Sequence, residues 1–575
     1  MSELTMRGVR RSAPGRAGAR EQAISPGRPR LDYLPVGTLA AVAAVVGLVL
    51  RRLLTPPLWY DENWRAVQVS SPTGLFHDLS HAVAPSALGW LALERTSVRL
   101  LGNTEFALRL PSLLALLALG LVTCRLAGRF LPRYAALALA ALVMLNVPLL
   151  AYGLAFKPYL VEAAATVGVV ELWLTAADRP ARWHRLLPCY VGMAALVVLG
   201  VPVLFVLPGL YVFDLLRAGQ AQRGQRELSR LAMMTAVGLV AGAHYLFYLA
   251  PQGRTLAGGQ YWSPNYLPVH SGLRPILDFL VFQAVWFVKA LGTAGMLPPD
   301  TFYVSLRTSS LLQPPSGLLA YLSMLGLGSA LLIGIAALLR HPRLRPVPVA
   351  VAGALLVQVA VSSRGLWPFG ANRTNLFLVP LLAVMVAAGL RAIVHKARLR
   401  RPIRAAALLL LVLVLATVPL QVVRLGQLVR DPMRPALQDH LKEAVAEVRA
   451  KAGPDDVVFV NAANFPPATD FAGYTYYMYF AENQAPAAGA RPPVPMANTA
   501  FTVGLSAPQV GQQVAAHPAA RHVFVLELWN PFGGWNPASG NLFPEATGSL
   551  RASGFCPAGE HTVATTGLLV QLDRC

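Results

Sequence analysis

The chain has 575 residues, 55% of them hydrophobic and 13% charged. Soluble domains carry about 25% charged residues, so this composition excludes an ordinary globular protein and predicts a polytopic membrane protein. The net charge of +22 comes from 49 basic residues against 27 acidic ones. The basic residues lie in short patches between apolar runs and in the N-terminal tail. No basic soluble domain gathers them, so nucleic acid is not an expected partner.

Residues 1–33 carry seven Arg with Pro and Gly and no apolar period, the composition of a disordered cytoplasmic tail. The apolar run that follows has no small-residue cleavage site after it and reads as a retained signal anchor. A membrane-spanning helix needs about 20 apolar residues. Runs near 34–54, 107–127, 134–152, 159–177, 186–200, 201–216, 231–250, 316–338, 347–362, 374–394 and 405–424 predict about 11 transmembrane helices. The stretch 186–216 is long for one span and short for two, with Gly200 and Pro202 supplying a break. With the tail inside, the connections 128–133, 178–185, 217–230, 339–346 and 395–404 are cytoplasmic, and all five are rich in Arg, His or Lys. That agreement of parity and charge is the positive-inside pattern. Residues 276–297 are apolar but contain Asp278 and Lys289. A span there would invert everything after it, so an interfacial or re-entrant helix on the outer face is expected.

After the last apolar run the composition becomes rich in Pro, Gly and Asn. An amphipathic stretch at 434–452 precedes strand-like segments at 457–460, 522–526 and 568–572. Helix and strands in alternation predict a small α/β domain over residues 425–575, extracytoplasmic by parity. The run YTYYMYF at 474–480 suits core and interface packing, with a sugar-facing patch as the alternative. Cys124 and Cys189 read as buried thiols. In an extracytoplasmic domain Cys556 and Cys575 suit a disulfide that ties down the chain end, the alternative being two free thiols.

The candidate chemistry centres on Asp61 and Glu62, which stand between aromatic residues just past the first span. Adjacent acids at a membrane exit are costly unless used or paired. A carboxylate here suits a general base, an ion pair with Arg65, or a ligand for Mg²⁺ or Mn²⁺; the plain alternative is a solvated loop. Four further features fall on the same side of the membrane by parity. Glu105 and Arg109, four residues apart, have the spacing of a helical pair. Lys157, in Phe156-Lys157-Pro158-Tyr159, can snorkel or bind a phosphate. Arg364 and Arg373 flank the loop sequence GLWPFGAN and oppose the charge bias of their side. His77 and His81 read as solvated or packing residues.

The pattern W-x-D-E at 59–62, followed by GNTEFALRLPS at 102–112, KPY at 157–159 and WPFGANRTNLFLVP at 367–380, resembles the GT-C membrane glycosyltransferases. Within them it looks like the bacterial family 39/83 group, which includes protein O-mannosyltransferases and the aminoarabinose transferase of lipid A. The resemblance covers residues 34–424 and implies a polytopic α-helical GT-C fold, with residues 55–106 as its first outer loop. It implies that this loop supplies the catalytic acid, which maps to Asp61 with Glu62 adjacent. It further implies inverting transfer from a polyprenyl-phosphate sugar to a hydroxyl of a protein, lipid or cell-wall glycan. Lys157, Tyr159, Arg364, Arg373, Arg65 and His81 are then the expected substrate-side residues, with Glu105 and Arg109 as structural support. No cofactor is required by this reading; Mg²⁺ or Mn²⁺ is the one the paired acids would admit. The expected location is the bacterial inner membrane, N-terminus inside. Two motifs depart from the relatives: Ser80–Ala87 replaces a His-Pro-Pro-Leu-like stretch, and Lys157-Pro158-Tyr159 replaces Arg-Pro-Tyr. The competing classes are a lipid or glycan transporter, which would rely on Glu162 and Glu171, and a non-catalytic envelope assembly protein.

Overall fold

The computed structural model describes residues 33–58, 62–77, 79, 85–180, 182–220, 224–253, 265–292, 318–397, 401–430, 437–462, 467–481, 494–502, 507–528, 548–563 and 567–575. Asp61 and His81 lie outside them. In chain order the helices are α1 (Tyr33–Val49), α2 (Arg51–Leu54), α3 (Asn63–Ser70), α4 (Leu88–Leu101), α5 (Glu105–Gly128), α6 (Arg133–Met144), α7 (Val147–Gly153), α8 (Tyr159–Asp178), α9 (Trp183–Leu199), α10 (Val203–Gln220), α11 (Gly224–His244), α12 (Ala250–Gly253), α13 (Leu273–Gly292), α14 (Leu318–Arg340), α15 (Pro346–Ser362), α16 (Leu378–Ala397), α17 (Arg401–Leu415), α18 (Thr417–Arg430), α19 (Leu437–Lys451), α20 (Pro467–Thr475) and α21 (Ala507–Ala515).

Six described helices are long and apolar enough to cross a membrane, at Glu105–Gly128, Tyr159–Asp178, Glu227–Gln252, Leu322–Arg340, Leu378–His395 and Arg404–Val423. Shorter apolar helices occupy Pro35–Val49, Arg133–Met144, Trp183–Leu199 and Pro346–Ser362. The ambiguous stretch 186–216 forms two helices, α9 and α10, separated at Gly200–Pro202. Pro202 has no N–H to continue the helical ladder and disfavours the helical conformation in Val201 before it. The expected span 134–152 is likewise broken, because Asn146 caps the N-terminus of α7 by accepting from the Leu149 amide at 3.2 Å. α8 is apolar on every face and buried along nearly its whole length, the mark of a central helix. It packs between α5, α9 and α10. A second group, α14 with α16 and α17, meets at two glycines. A Cβ on Gly389 would lie 1.9 Å from the Ala330 carbonyl oxygen, and one on Gly334 1.8 Å from that of Met385. Small residues at such crossings let helix backbones touch, which replaces the hydrophobic driving force that lipid cannot supply.

α13 covers most of the 276–297 segment as a single unbroken helix. Its Ala290 carbonyl accepts from Asn146, its Gln283 accepts from the Ala371 amide, and its Phe279 stacks near Phe369. These partners are the ends and connecting loops of other helices, so α13 runs beside helix termini along part of its length.

The C-terminal region holds a five-stranded sheet of β1 (Val457–Ala462), β2 (Thr499–Thr502), β3 (His522–Leu528), β4 (Phe555–Val563) and β5 (Gly567–Arg574). Its order is β2-β1-β3-β5-β4. β1 runs parallel to β2 and β3, while β5 is antiparallel to β3 and β4. The three strand-like segments of the sequence are β1, β3 and β5; β2 and β4 are short or Pro- and Gly-containing and carry no alternating signal. Val457, Phe459, Val523, Val525, Val570 and Leu572 form its own apolar cluster. Cys556 and Cys575 are joined in a disulfide that fixes the chain end to β4.

The glycine crossing makes a direct prediction. Gly389→Val should abolish recovery of monodisperse protein in detergent, because its side chain meets backbone. Gly238→Ala on α11, where a Cβ meets nothing within 4 Å, should leave the melting temperature unchanged or slightly raised.

Candidate active site

Thr104 caps α5 by accepting from the Ala107 amide at 3.1 Å, which sets the first two turns of that helix under the loop that follows α2. Arg109, on the second turn, is completely buried. Its Nη1 donates to the carbonyls of Leu54 (3.2 Å) and Pro56 (2.5 Å). Its Nη2 donates to Pro57 O (3.2 Å) and to Glu62 Oε2 (2.8 Å). The end of α2 and the Pro56-Pro57 turn leave carbonyls with no helical donor. A guanidinium, with five donors in a fixed plane, can satisfy several at once. The other oxygen of Glu62 accepts from the Phe156 amide at 2.6 Å. Glu62 thus ties together the first loop, α5 and the turn that precedes α8, and both side chains of its ion pair with Arg109 are 0% exposed.

The same turn is held from below by Ser112, whose hydroxyl donates to Ala155 O (3.4 Å) and Lys157 O (3.3 Å). Lys157 and Tyr159 are buried there, at 4% and 9% exposure. Arg65 on α3 is also buried. Its guanidinium lies 4.4 Å from the Trp64 ring centre and donates to Ser86 Oγ at 3.2 Å. It interacts electrostatically with Glu162 of α8. The Trp90 ring, 5.9 Å from Arg65, is 5.4 Å from Phe156. The structure therefore gathers Glu62, Arg65, Arg109, Lys157 and Tyr159 around Phe156.

The spacing of Glu105 and Arg109 suggested a pair with each other. Arg109 instead pairs with Glu62, and Glu105 pairs with Lys442 of α19. The reason is geometric: Arg109 points at the proline turn, while Glu105 sits at the helix start, facing the C-terminal region.

Arg364 lies exposed in the turn after α15, and Arg373 is half-buried in the short helical turn Arg373–Asn375. Their loop is built around Asn375, which is fully buried. Asn375 Oδ1 accepts from Gln358 (3.1 Å) and Trp367 (3.0 Å), and its Nδ2 donates to Pro368 O (2.9 Å) and Gly370 O (2.8 Å). Gly370, at φ 97°, is pressed against Gln283, where a Cβ would come within 2.1 Å; only glycine fits both constraints. The loop connects to the Glu62 cluster through packing: Trp367 lies 5.2 Å from Phe205, and Gly200 lies against Glu162. Beside it, α13 and α15 border an open apolar groove of about 450 Å³ lined by Leu280, Gln283, Phe287, Leu355, Val359 and Phe369.

Of the two adjacent acids, Glu62 is committed to its ion pair with Arg109. Among the described residues no group of three or more His, Cys, Asp and Glu side chains could hold a metal ion.

Sequence reasoning noted one buried group only as a charge within the 276–297 run and passed over another. Lys289, 5% exposed, lies 4.3 Å over the Trp286 ring. Glu94 on α4 is completely buried, and neither carboxyl oxygen has a hydrogen-bond partner. Glu94 shares its helix face with Trp90, Leu91 and Ser97, so an acid at an apolar-face position was the available signal.

No protein-family profile matches the chain, and no curated protein matches it. Solved structures match it in fold, the GT-C fold. The chain is similar to ArnT from Cupriavidus metallidurans in the apo state, with a TM-score of 0.50 at 13% identity, over 94% of this chain and 98% of that one. The match to ArnT bound to undecaprenyl phosphate has a TM-score of 0.51 at 13% identity, over 93% and 98%. The Archaeoglobus fulgidus oligosaccharyltransferase aligns over 84% of this chain and 69% of its own, with a TM-score of 0.45.

Two predictions test the site's physical chemistry. Leaving one charge of a buried pair uncompensated costs about 3–5 kcal/mol, so Arg109→Met should sharply lower the melting temperature; a wild-type melting temperature would refute the anchoring role. For Glu94, burial pushes the carboxyl well above the usual range. The folded chain then keeps a proton that the unfolded chain releases, so stability falls as pH rises past the unfolded value. Glu94→Gln should raise the melting temperature at pH 8 and leave it nearly unchanged at pH 4, as thermal unfolding at the two pH values would show.

Proposed function

We propose that the protein is an inverting glycosyltransferase that moves a sugar from a polyprenyl-phosphate donor to a hydroxyl acceptor at the extracytoplasmic face of a bacterial inner membrane. The observation that carries this reading is the buried Glu62–Arg109 pair, which fixes the chain next to Asp61 beside Lys157 and Arg65. The GT-C fold supports it, as does undecaprenyl phosphate bound to a structural neighbour. The five basic connections of the sequence place the opposite ends of the helices in the cytoplasm.

In this mechanism Asp61 is the general base. Its carboxylate takes the proton of the acceptor hydroxyl as that oxygen attacks C1 of the donor sugar. The bond between C1 and the phosphate oxygen breaks, its electron pair stays on the polyprenyl phosphate, and the anomeric centre inverts. Lys157, with Arg373 and Arg364 on the neighbouring loop, balances the charge that develops on the leaving phosphate. Arg65 and Tyr159 line the substrate side, to which the sequence resemblance also assigns His81. Glu62 is the anchor rather than a second base, because its charge is already matched by Arg109. The apolar groove between α13 and α15 suits a segment of the polyprenyl chain. The catalytic domain covers residues 34–424, and the domain 425–575 faces the acceptor side. The acceptor is a protein, a lipid or a cell-wall glycan.

The transporter reading loses support from one of its two acids. Glu171 is held by Arg125 (2.8 Å) and Arg129 (2.6 Å), and Arg129 also pairs with Asp178 (2.5 Å). Such a network suits a fixed helix contact rather than a carrier group.

General base catalysis contributes about 10²–10⁴-fold. Asp61→Asn should therefore lower transfer from a labelled polyprenyl-phosphate sugar by at least about a hundredfold, with the protein still folded. Full transfer by the folded variant would overturn the mechanism.

A further inference from the structure

One of the contacts by which the C-terminal region reaches back to the first loop is a buried phenol. Tyr477 is completely buried, and its hydroxyl oxygen accepts from the Leu58 amide at 2.6 Å. Pro56 and Pro57 have no N–H, so Leu58 carries the first amide hydrogen available to the loop after Thr55. With Arg109 holding the carbonyls of residues 54, 56 and 57 and Tyr477 holding the Leu58 amide, the backbone entering the Asp61 segment is held from both sides of its peptide chemistry. Leu58 and Glu62 bracket Asp61 in the chain, and both are anchored.

Tyr477 is itself held firmly. It lies in the wide helical turn Tyr476–Phe480. Its carbonyl accepts from Arg449 Nη1 at 3.1 Å, and Lys442 Nζ lies 5.7 Å from its ring centre while pairing with Glu105 of α5. On either side, Asn103 Nδ2 donates to the Phe480 carbonyl at 2.8 Å, and Tyr476 donates to Asn103 Oδ1 at 3.2 Å. Gly473 of α20 packs against Asn63, the residue after Glu62, closely enough that a Cβ would come within 2.6 Å of its amide nitrogen. This density of polar contacts in a buried seam is more than apolar docking requires.

We propose that Tyr477 is a positioning residue for glycosyl transfer: by fixing the Leu58 amide it sets the backbone from which Asp61 reaches the acceptor hydroxyl, and so makes the C-terminal region part of the active site. The proposal rests on the glycosyltransferase reading above. Tyr477 touches no reacting atom; it acts through Leu58. A proper base position requires atoms held to within a fraction of an ångström, and small displacements lower turnover steeply.

The test is Tyr477→Phe in the full-length protein in nanodiscs, which removes one oxygen and keeps the ring. Its control is Tyr479→Phe, whose hydroxyl meets Thr499 within the C-terminal region and not the loop. Two readouts are taken. Amide hydrogen exchange at Leu58 should rise about tenfold or more in Tyr477→Phe and stay at the wild-type rate in Tyr479→Phe. Turnover should fall about tenfold or more with the donor KM unchanged, again only in Tyr477→Phe. Unchanged Leu58 exchange, or unchanged kcat, overturns the positioning role, as does an equal loss in both variants. Exchange does not depend on transfer. A wild-type protein that consumes no polyprenyl-phosphate sugar would sink the glycosyltransferase reading, and the positioning role in transfer with it, even if Leu58 exchange rises as expected.

Discussion

The structure around the candidate site depends on one buried ion pair. Removing Arg109 and Glu62 from water is expensive, and the pair is tolerable only because nearly every polar atom finds a partner. Arg109 supplies its donors to three carbonyls and a carboxylate, and Glu62 takes the remaining contact from the Phe156 amide. The consequence is architectural. Three segments far apart in the chain, the loop after α2, the start of α5 and the turn before α8, are fixed to one another at the point where the sequence places Asp61. A hydrophobic contact of the same size would hold these segments together without specifying their register.

In that arrangement Glu62 has its charge matched and its oxygens engaged, so it suits anchoring. Lys157 and Arg65 stand beside the pair on α8's leading turn and on α3, each with its own support from Ser112 and Ser86. The C-terminal region adds Tyr477 and Lys442 to the same assembly. The C-terminal region is therefore connected to the site by a hydrogen bond and an ion pair.

Much of this was legible in the sequence, for identifiable reasons. Long apolar runs reveal helices whatever their partners, so α5, α8, α11, α14 and α16 follow from composition. Breaks at Gly200–Pro202 and Asn146 were legible only in part, because Gly and Pro announce themselves and a capping Asn inside an apolar run does not. β1, β3 and β5 have unbroken β-branched or aliphatic runs, whereas β4 contains Pro557 and Gly559 and is bent between them. At the site, the residue types were readable and their partners were not. Glu105 and Arg109 look like a helical pair because sequence shows only local spacing; their actual partners, Lys442 and Glu62, lie 337 and 47 residues away. The tyrosine run was readable as packing, but the hydrogen bond from Leu58 to Tyr477 spans 419 residues and has no local signature.

The central claim is that this fold transfers a sugar from a polyprenyl phosphate by a single displacement. The most direct measurement is the anomeric configuration of the product, read by NMR after incubating the purified protein with polyprenyl-phosphate sugars of defined anomer and an envelope acceptor extract. The account predicts release of free polyprenyl phosphate together with a glycoside of the opposite anomeric configuration. A product that retains the donor's configuration would contradict it.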